Sequence, residues 1–147
     1  MATVKRSALV MHSDQEMYDL VNDVTGYPSF MDGCHNVQVF EHTATTMLAR
    51  LDLKKAGINL SLLTRNHLQG PRHINMTLED GPFKIFRGDW TFTPLTDSAC
   101  KVELDLEFEF ISRSLSFAAS SLFSGVANNL VDSLCKHADV VYGASIG

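Results

Sequence analysis

The chain is short of most residue patterns that announce chemistry. Its three cysteines, Cys34, Cys100 and Cys135, are widely spaced, odd in number and form no Cys-x-x-Cys pair. That excludes a disulfide framework or a thiolate zinc site and fits free thiols in a reducing compartment. The six histidines show no His-x-x-x-His or Glu-paired spacing, so no metal site is expected. The glycines are scattered, and none opens a helix after a strand in a Gly-rich run, which excludes a phosphate loop. Positive charge is scarce: 12 Lys and Arg stand against 17 Asp and Glu, a net charge of −5. This is a poor general footprint for naked nucleic acid, although a local basic patch remains compatible with it. The opening MATVKRSALVMHSD lacks a sustained apolar core, so no signal peptide is expected.

What is present is strict alternation. In CKVELDLEFEF, Cys100, Val102, Leu104, Leu106, Phe108 and Phe110 occupy one parity, and Lys101, Glu103, Asp105, Glu107 and Glu109 the other. Side chains alternate across a strand, so this is a strand of roughly 35 Å with one dry and one wet face. The same parity runs through Met47–Leu53, Ile58–Leu62, Ile74–Leu78 and Phe86–Phe92. Turn signals at Ala56-Gly57, Gly70-Pro71, Gly81-Pro82 and Pro94 to Ser98 separate these segments. With a first strand over residues 3–11 and a weaker one at Val37–Phe40, seven strands in an antiparallel meander are expected.

Helices flank this array. Ser13 and Glu16 form a capping box ahead of the stripe Met17, Leu20, Val21 and Val24. Gly26-Tyr27-Pro28 should end that helix, with a short helical turn over Ser29–Asp32. A long helix is predicted from Ser114 to Tyr142, uncharged between Arg113 and Asp132. Seven Ser and Asn residues in that run, from Ser114 to Asn129, argue against a membrane span. Its core stripe reads Leu115, Ala119, Leu122, Val126, Leu130, Leu134, Ala138 and Val141. Phe117, Phe123 and Ala127 fall partly off that stripe and suggest a second apolar edge, suited to a dimer, a lipid surface or a pocket mouth. The fold class is therefore α+β: a seven-stranded curved antiparallel sheet gripping a long C-terminal helix, in a single domain spanning residues 1–147.

No catalytic group stands out. His35, His42, His67 and His73 read as surface residues near strand ends, and Cys34 as a small buried thiol rather than a nucleophile. Ser112, Ser114 and Ser116 show no nucleophile elbow. The acidic row Glu103–Glu109 reads as a solvated face. The cations Lys54, Lys55, Arg65, Arg72, Lys84 and Arg87 could meet ribosomal RNA or anionic lipid, but cross-strand pairing with carboxylates is the plainer reading. The apolar interior is the stronger signal. A cupped sheet under one helix is hard to fill, and ligand pockets are mostly apolar with few polar groups.

Three segments carry a family resemblance: VNDVTGYPSFMDGC at Val21–Cys34, DGPFKIFRGDWTFTPL at Asp80–Leu95, and LEFEF followed by VDSLCKHADVVYG. In this order the chain resembles the coenzyme-Q-binding START-domain family of the SRPBCC, polyketide-cyclase-like superfamily, one branch of which is the ribosome association toxins. The resemblance implies a helix-grip fold with a ligand cavity. Tyr27, Pro28, Phe30 and Cys34 match the family's YP-x-F-x-x-x-C segment, and Gly81, Pro82, Phe83, Gly88, Trp90 and Phe92 match its GPF and G-x-W-x-F segments. Where the family has Pro-Trp before the cysteine, this chain has Asp32-Gly33.

Two functions are implied. The first is non-enzymatic binding of an isoprenoid or quinone-type lipid such as ubiquinone, in support of respiration, with no cofactor required. Leu51, Leu60, Met76, Phe86, Trp90, Phe92, Leu104, Leu106 and Phe108 would line the sheet side of its cavity, and Leu122, Val126 and Leu130 the helix side. The second is binding of the large ribosomal subunit to block subunit association and translation initiation, with a small antitoxin protein as a further partner. A cyclase or dehydratase activity lacks a convincing acid–base pair inside the cavity. The expected location is cytoplasmic, with peripheral membrane contact compatible.

Overall fold

The computed structural model describes residues 2–111 and 113–143, with the side chains of 113–116 left aside. Ser112, and the side chains of Ser114, Leu115 and Ser116, lie outside the described residues. The elements are β1 (Ala2–Val10), α1 (Asp14–Asn22), a 3-10 helix (Val24–Ser29), β2 (Cys34–His42), β3 (Thr46–Lys55), β4 (Ile58–Gln69), β5 (His73–Asp80), β6 (Phe83–Thr96), β7 (Ala99–Phe110) and α2 (Arg113–Tyr142). The sheet order is β1-β7-β6-β5-β4-β3-β2, antiparallel throughout. The first two strands of the chain are thus the two edges of the sheet. The segment joining them, α1 and the 3-10 helix, must cross between opposite edges, and α1 packs on β6, β7 and α2. This is the helix-grip fold.

The expected parity holds along β3, β4, β6 and β7 and is weaker in β5. Met47, Ala49 and Leu53, Leu60 and Leu62, Ile74, Trp90 and Phe92, and Val102, Leu104, Leu106 and Phe108 are buried, while their neighbours are more exposed. Bulges in β2 between Cys34 and Asn36 and between Val39 and Glu41, and in β6 between Phe83 and Ile85 and between Pro94 and Thr96, bend the sheet. Gly88 sits mid-strand because a Cβ there would lie 2.5 Å from Met76 Cε and 2.6 Å from Leu106 Cδ2, side chains of its two cross-strand partners. The capping box forms: Ser13 Oγ accepts from the Glu16 amide at 3.1 Å, and the Ser13 amide donates to Glu16 Oε1 at 2.9 Å. Two contacts tie α1's end of the molecule to the end of α2. His12 Nε2 meets Asp139 Oδ1 at 2.8 Å, and the Tyr142 hydroxyl donates to the Glu16 carbonyl at 2.9 Å.

Several expected boundaries are corrected. The short helix runs over Val24–Ser29 and takes in Gly26-Tyr27-Pro28, instead of following them at Ser29–Asp32. Proline is compatible with a 3-10 turn, so the Pro signal marked a change of helix type. β2 is longer than Val37–Phe40, and β4 continues to Gln69. β6 runs through Pro94 to Thr96, so only Asp97 and Ser98 form the turn. Pro94 lies beyond the last β5 pairing at Thr91, where one side of the strand is open and a missing N–H is tolerated.

The face of α2 also differs from expectation. Phe123 and Ala127 are buried, at 6% and 3% exposure, whereas Val141 is 51% exposed. The buried row runs Ala119, Leu122, Phe123, Ala127, Val131, Leu134 and Ala138, which turns Val126 and Leu130 to one side. Phe123 is drawn in by an aromatic cluster, 4.7 Å from Phe108 and 5.1 Å from Phe83 between ring centres. Of the second apolar edge only Phe117 stands in water, at 82% exposure.

Candidate functional site: an interior hollow and an outer groove

The sheet and α2 enclose a hollow of about 80 Å³. β3, β4, β5 and β6 contribute Leu51, Leu53, Leu62, Ile74, Met76, Phe86 and Trp90, the 3-10 helix contributes Val24 and Tyr27, and α2 contributes Phe123, Val126, Ala127 and Leu130. On the other side of Val126 an open groove of about 420 Å³ runs between α2 and the β3–β4 turn. Its walls include Ala118, Ser121, Leu122, Gly125 and Asn129 of α2, facing Ala56 and Ile58. Lys55 Nζ bridges to Asp32 Oδ2 at 2.6 Å at its rim, and this hydrogen bond holds the Asp32 carboxyl below its usual pKa.

Val126 is the wall between hollow and groove, and Gly33 lets it be so. Gly33 has φ +88°, and a Cβ on it would lie 2.8 Å from Val126 Cγ2. The loop before β2 can therefore press against α2 only because position 33 lacks a side chain.

Of the residues expected to line a cavity, Leu51, Met76, Phe86, Trp90, Val126 and Leu130 face the hollow. Leu60, Phe92, Leu104, Leu106 and Phe108 point inward but lie outside its lining, and Leu122 faces the groove. Phe92 packs against Tyr18 of α1 at 5.8 Å, and Phe108 against Phe123, so other side chains already fill their space. Parity distinguishes inside from outside but not position along the trough. Among the family-motif residues, Tyr27 lines the hollow, Cys34 is buried, and Phe30 stacks on His137 at 3.9 Å. Pro28 is exposed, Gly81 and Pro82 form the β5–β6 turn, and Phe83 and Gly88 belong to the sheet's packing.

Sequence reasoning passed over the hollow's polar groups. Thr64 and Asn66 continue the inward parity of Leu60 and Leu62, and both are buried. The signal was available: carrying the alternation two steps further, across polar letters, places both inside. The Tyr27 hydroxyl donates to the Val21 carbonyl, and burial raises its pKa far above the ordinary value. Asn22 Nδ2 donates to the Tyr18 carbonyl at 3.0 Å. Asn66 Oδ1 is sealed from solvent and accepts no hydrogen bond.

Nucleophilic chemistry finds little support. Burial pushes the thiols of Cys34, Cys100 and Cys135 up to about 11, which leaves almost no thiolate at neutral pH. Among the described residues no three His, Cys, Asp or Glu side chains converge. The outer cations are largely paired: Arg65 with Glu41 and Glu79, Arg72 with Asp14, Lys84 with Glu109, and Arg87 with Glu107. Cross-strand pairing accounts for Arg65, Lys84 and Arg87 of the suspected basic patch, and carboxylates of α1 and the loop before β2 for Arg72 and Lys55. His73 likewise pairs with Asp89 at 2.8 Å.

The family described as polyketide cyclase / dehydrase and lipid transport matches residues 10–135. The chain belongs to this family. Within the polyketide cyclase and lipid transport family, it is 46% identical over 143 residues to the ribosome association toxin RatA of Vibrio cholerae, covering 97% of this chain and 99% of that protein. It is 28% identical over 134 residues to the mitochondrial coenzyme Q-binding protein of Drosophila melanogaster, covering 88% of this chain and 52% of that one. Among family folds, the Zhui aromatase/cyclase of a Streptomyces species superposes with a TM-score of 0.77 over 94% of this chain and 93% of its own, at 18% identity. That likeness concerns the fold alone. Among the described residues no helix is long and apolar enough to cross a membrane.

Proposed function

We propose that this protein controls ribosome association: it docks on the large ribosomal subunit and blocks its joining to the small one, holding down translation initiation. The observation that carries this reading is the end-to-end likeness to a ribosome association toxin, 46% identity across 97% of the chain. The size of the interior adds support. A hollow of about 80 Å³ falls well below the roughly 300–1,000 Å³ usual for small-molecule sites, so a role exercised through the outer surface demands less rearrangement. Because most outer cations already have carboxylate partners, docking on RNA exchanges partners as well as displacing counterions, and a shallow salt dependence is expected. The setting is the cytoplasm, and no covalent step is required of the protein. Sucrose-gradient profiles of ribosomal subunits mixed with excess protein test the proposal. Loss of the joined-ribosome peak is expected, and unchanged joining overturns it.

A second reading is favoured by the hollow and groove meeting at Val126 and by the coenzyme Q-binding relative. Here the protein holds an apolar amphiphile of quinone type, with its ring in a widened hollow and its tail in the groove. At about 25 cal/mol per Å² of apolar surface, a buried tail would dominate the affinity. Lipid extraction of the purified protein, followed by uptake of a short-chain quinone, tests this. Protein that emerges empty and takes up none overturns it.

A further inference from the structure

We propose that the hollow selects a single aromatic ring carrying a hydrogen-bond donor, a phenolic hydroxyl, and that Asn66 is the residue that reads it. The inference rests on the second reading above and adds the chemical class of guest. Asn66 is 8% exposed and its Oδ1 has no partner. An amide oxygen held away from water without a donor is a standing cost that a guest O–H removes. In the structure no neighbouring polar group donates to it: Tyr27 O–H and Asn22 Nδ2 are directed at the carbonyls of Val21 and Tyr18, and Thr64, buried in the same lining, makes no hydrogen bond to it. The remaining walls suit a ring: Phe86, Trp90 and Phe123 are aromatic, and Met76 is unbranched and adapts to shape.

The donor requirement gives a direction to selectivity. A carbonyl or ether oxygen placed against Asn66 Oδ1 sets lone pairs against lone pairs. At that oxygen a phenol is therefore favoured over its methyl ether. The hollow of about 80 Å³ must widen around the adaptable Met76 side chain to admit one ring, and any chain on that ring leaves past Val126 into the groove.

The test uses phenol, anisole and toluene, read by the NMR shift of the indole N–H of Trp90. That residue lines the hollow and is the chain's only tryptophan. Phenol should bind about tenfold more tightly than anisole, the worth of one net hydrogen bond. In Asn66→Leu that preference should vanish while toluene still binds, which also shows that the variant is folded. Equal binding of phenol and anisole to the unaltered protein overturns the proposal without recourse to any variant, as does a preference that survives in Asn66→Leu. If toluene binds with no phenol preference, Asn66 selection falls and the apolar-ligand reading stands. If none of the three moves the Trp90 signal, both fall.

Discussion

The two ends of the trough are packed differently. Under β1, β7 and the outer part of β6, the core is solid: Phe92, Cys100, Val102, Leu104, Leu134 and Ala138 are all but sealed. Under β3, β4 and β5, Leu51, Met76, Phe86, Val126 and Leu130 are only partly buried and border the hollow. The covering elements account for the contrast. α1 delivers Met17, Tyr18 and Leu20 to the first end, whereas the second receives Val21 and Asn22 from its last turn and Val24 and Tyr27 from the 3-10 helix. The sheet also turns Thr64 and Asn66 inward at the open end, so the free space goes with a short crossing segment and a more polar inner face.

Truncations at the two ends sharpen this contrast most. Phe92→Ala should cost about 3–5 kcal/mol in denaturant unfolding, because a sealed aromatic leaves a cavity that cannot collapse. Leu51→Ala should cost under about 2 kcal/mol, since it only enlarges space already present. Equal losses would erase the distinction. Next in size is Gly33→Ala, at about 1–3 kcal/mol, from a strained backbone and the approach to Val126. In a Val126→Ala background the steric share should be recovered and the backbone share should not, a coupling that a double-mutant cycle measures. Ser13→Ala removes the cap of the helix that fills the closed end and should cost about 1 kcal/mol, with the hollow unchanged.

The smallest effect concerns acid. Ser61 Oγ donates to Asp52 Oδ1 at 2.6 Å and, with Asn36 and Arg50, holds the Asp52 carboxyl below its ordinary 3.8. A depressed carboxyl means that the folded state binds fewer protons than the unfolded one. The stabilisation is therefore complete above about pH 4 and is lost as pH falls through the folded value. Ser61→Ala should flatten that acid slope in unfolding curves collected between pH 5 and pH 2. An unchanged slope would remove Asp52 from the account.

Much of this architecture was legible in the chain because a half-buried strand writes its two faces as alternating letters. Val102, Leu104, Leu106 and Phe108 could be assigned to the interior before any coordinate, and the capping box at Ser13 and Glu16 could be read as well. Local punctuation was less reliable. Pro28 and Pro94 read as breaks, yet a 3-10 helix accommodates the first and an open strand flank the second. The site was legible only in part. Leu51, Met76, Phe86, Trp90, Val126 and Leu130 border the hollow as expected, but Phe92, Leu104 and Phe108 share their parity and lie elsewhere. Thr64 and Asn66 were missed because polar letters at inward positions look like the end of a strand.

By itself, the order of residues determined which side chains turn inward, where the long helix lies and which family the protein joins. The first two are properties of neighbours along the chain, set by periods of 2 and 3.6 residues, and the third rests on motif segments shared with relatives. Only the tertiary structure decided that α1 fills one end and leaves the other open, that Phe123 belongs to the core, and that Asn66 Oδ1 is left without a partner. Those outcomes depend on volumes brought together from distant segments, and a volume deficit has no signature in any single stretch of sequence.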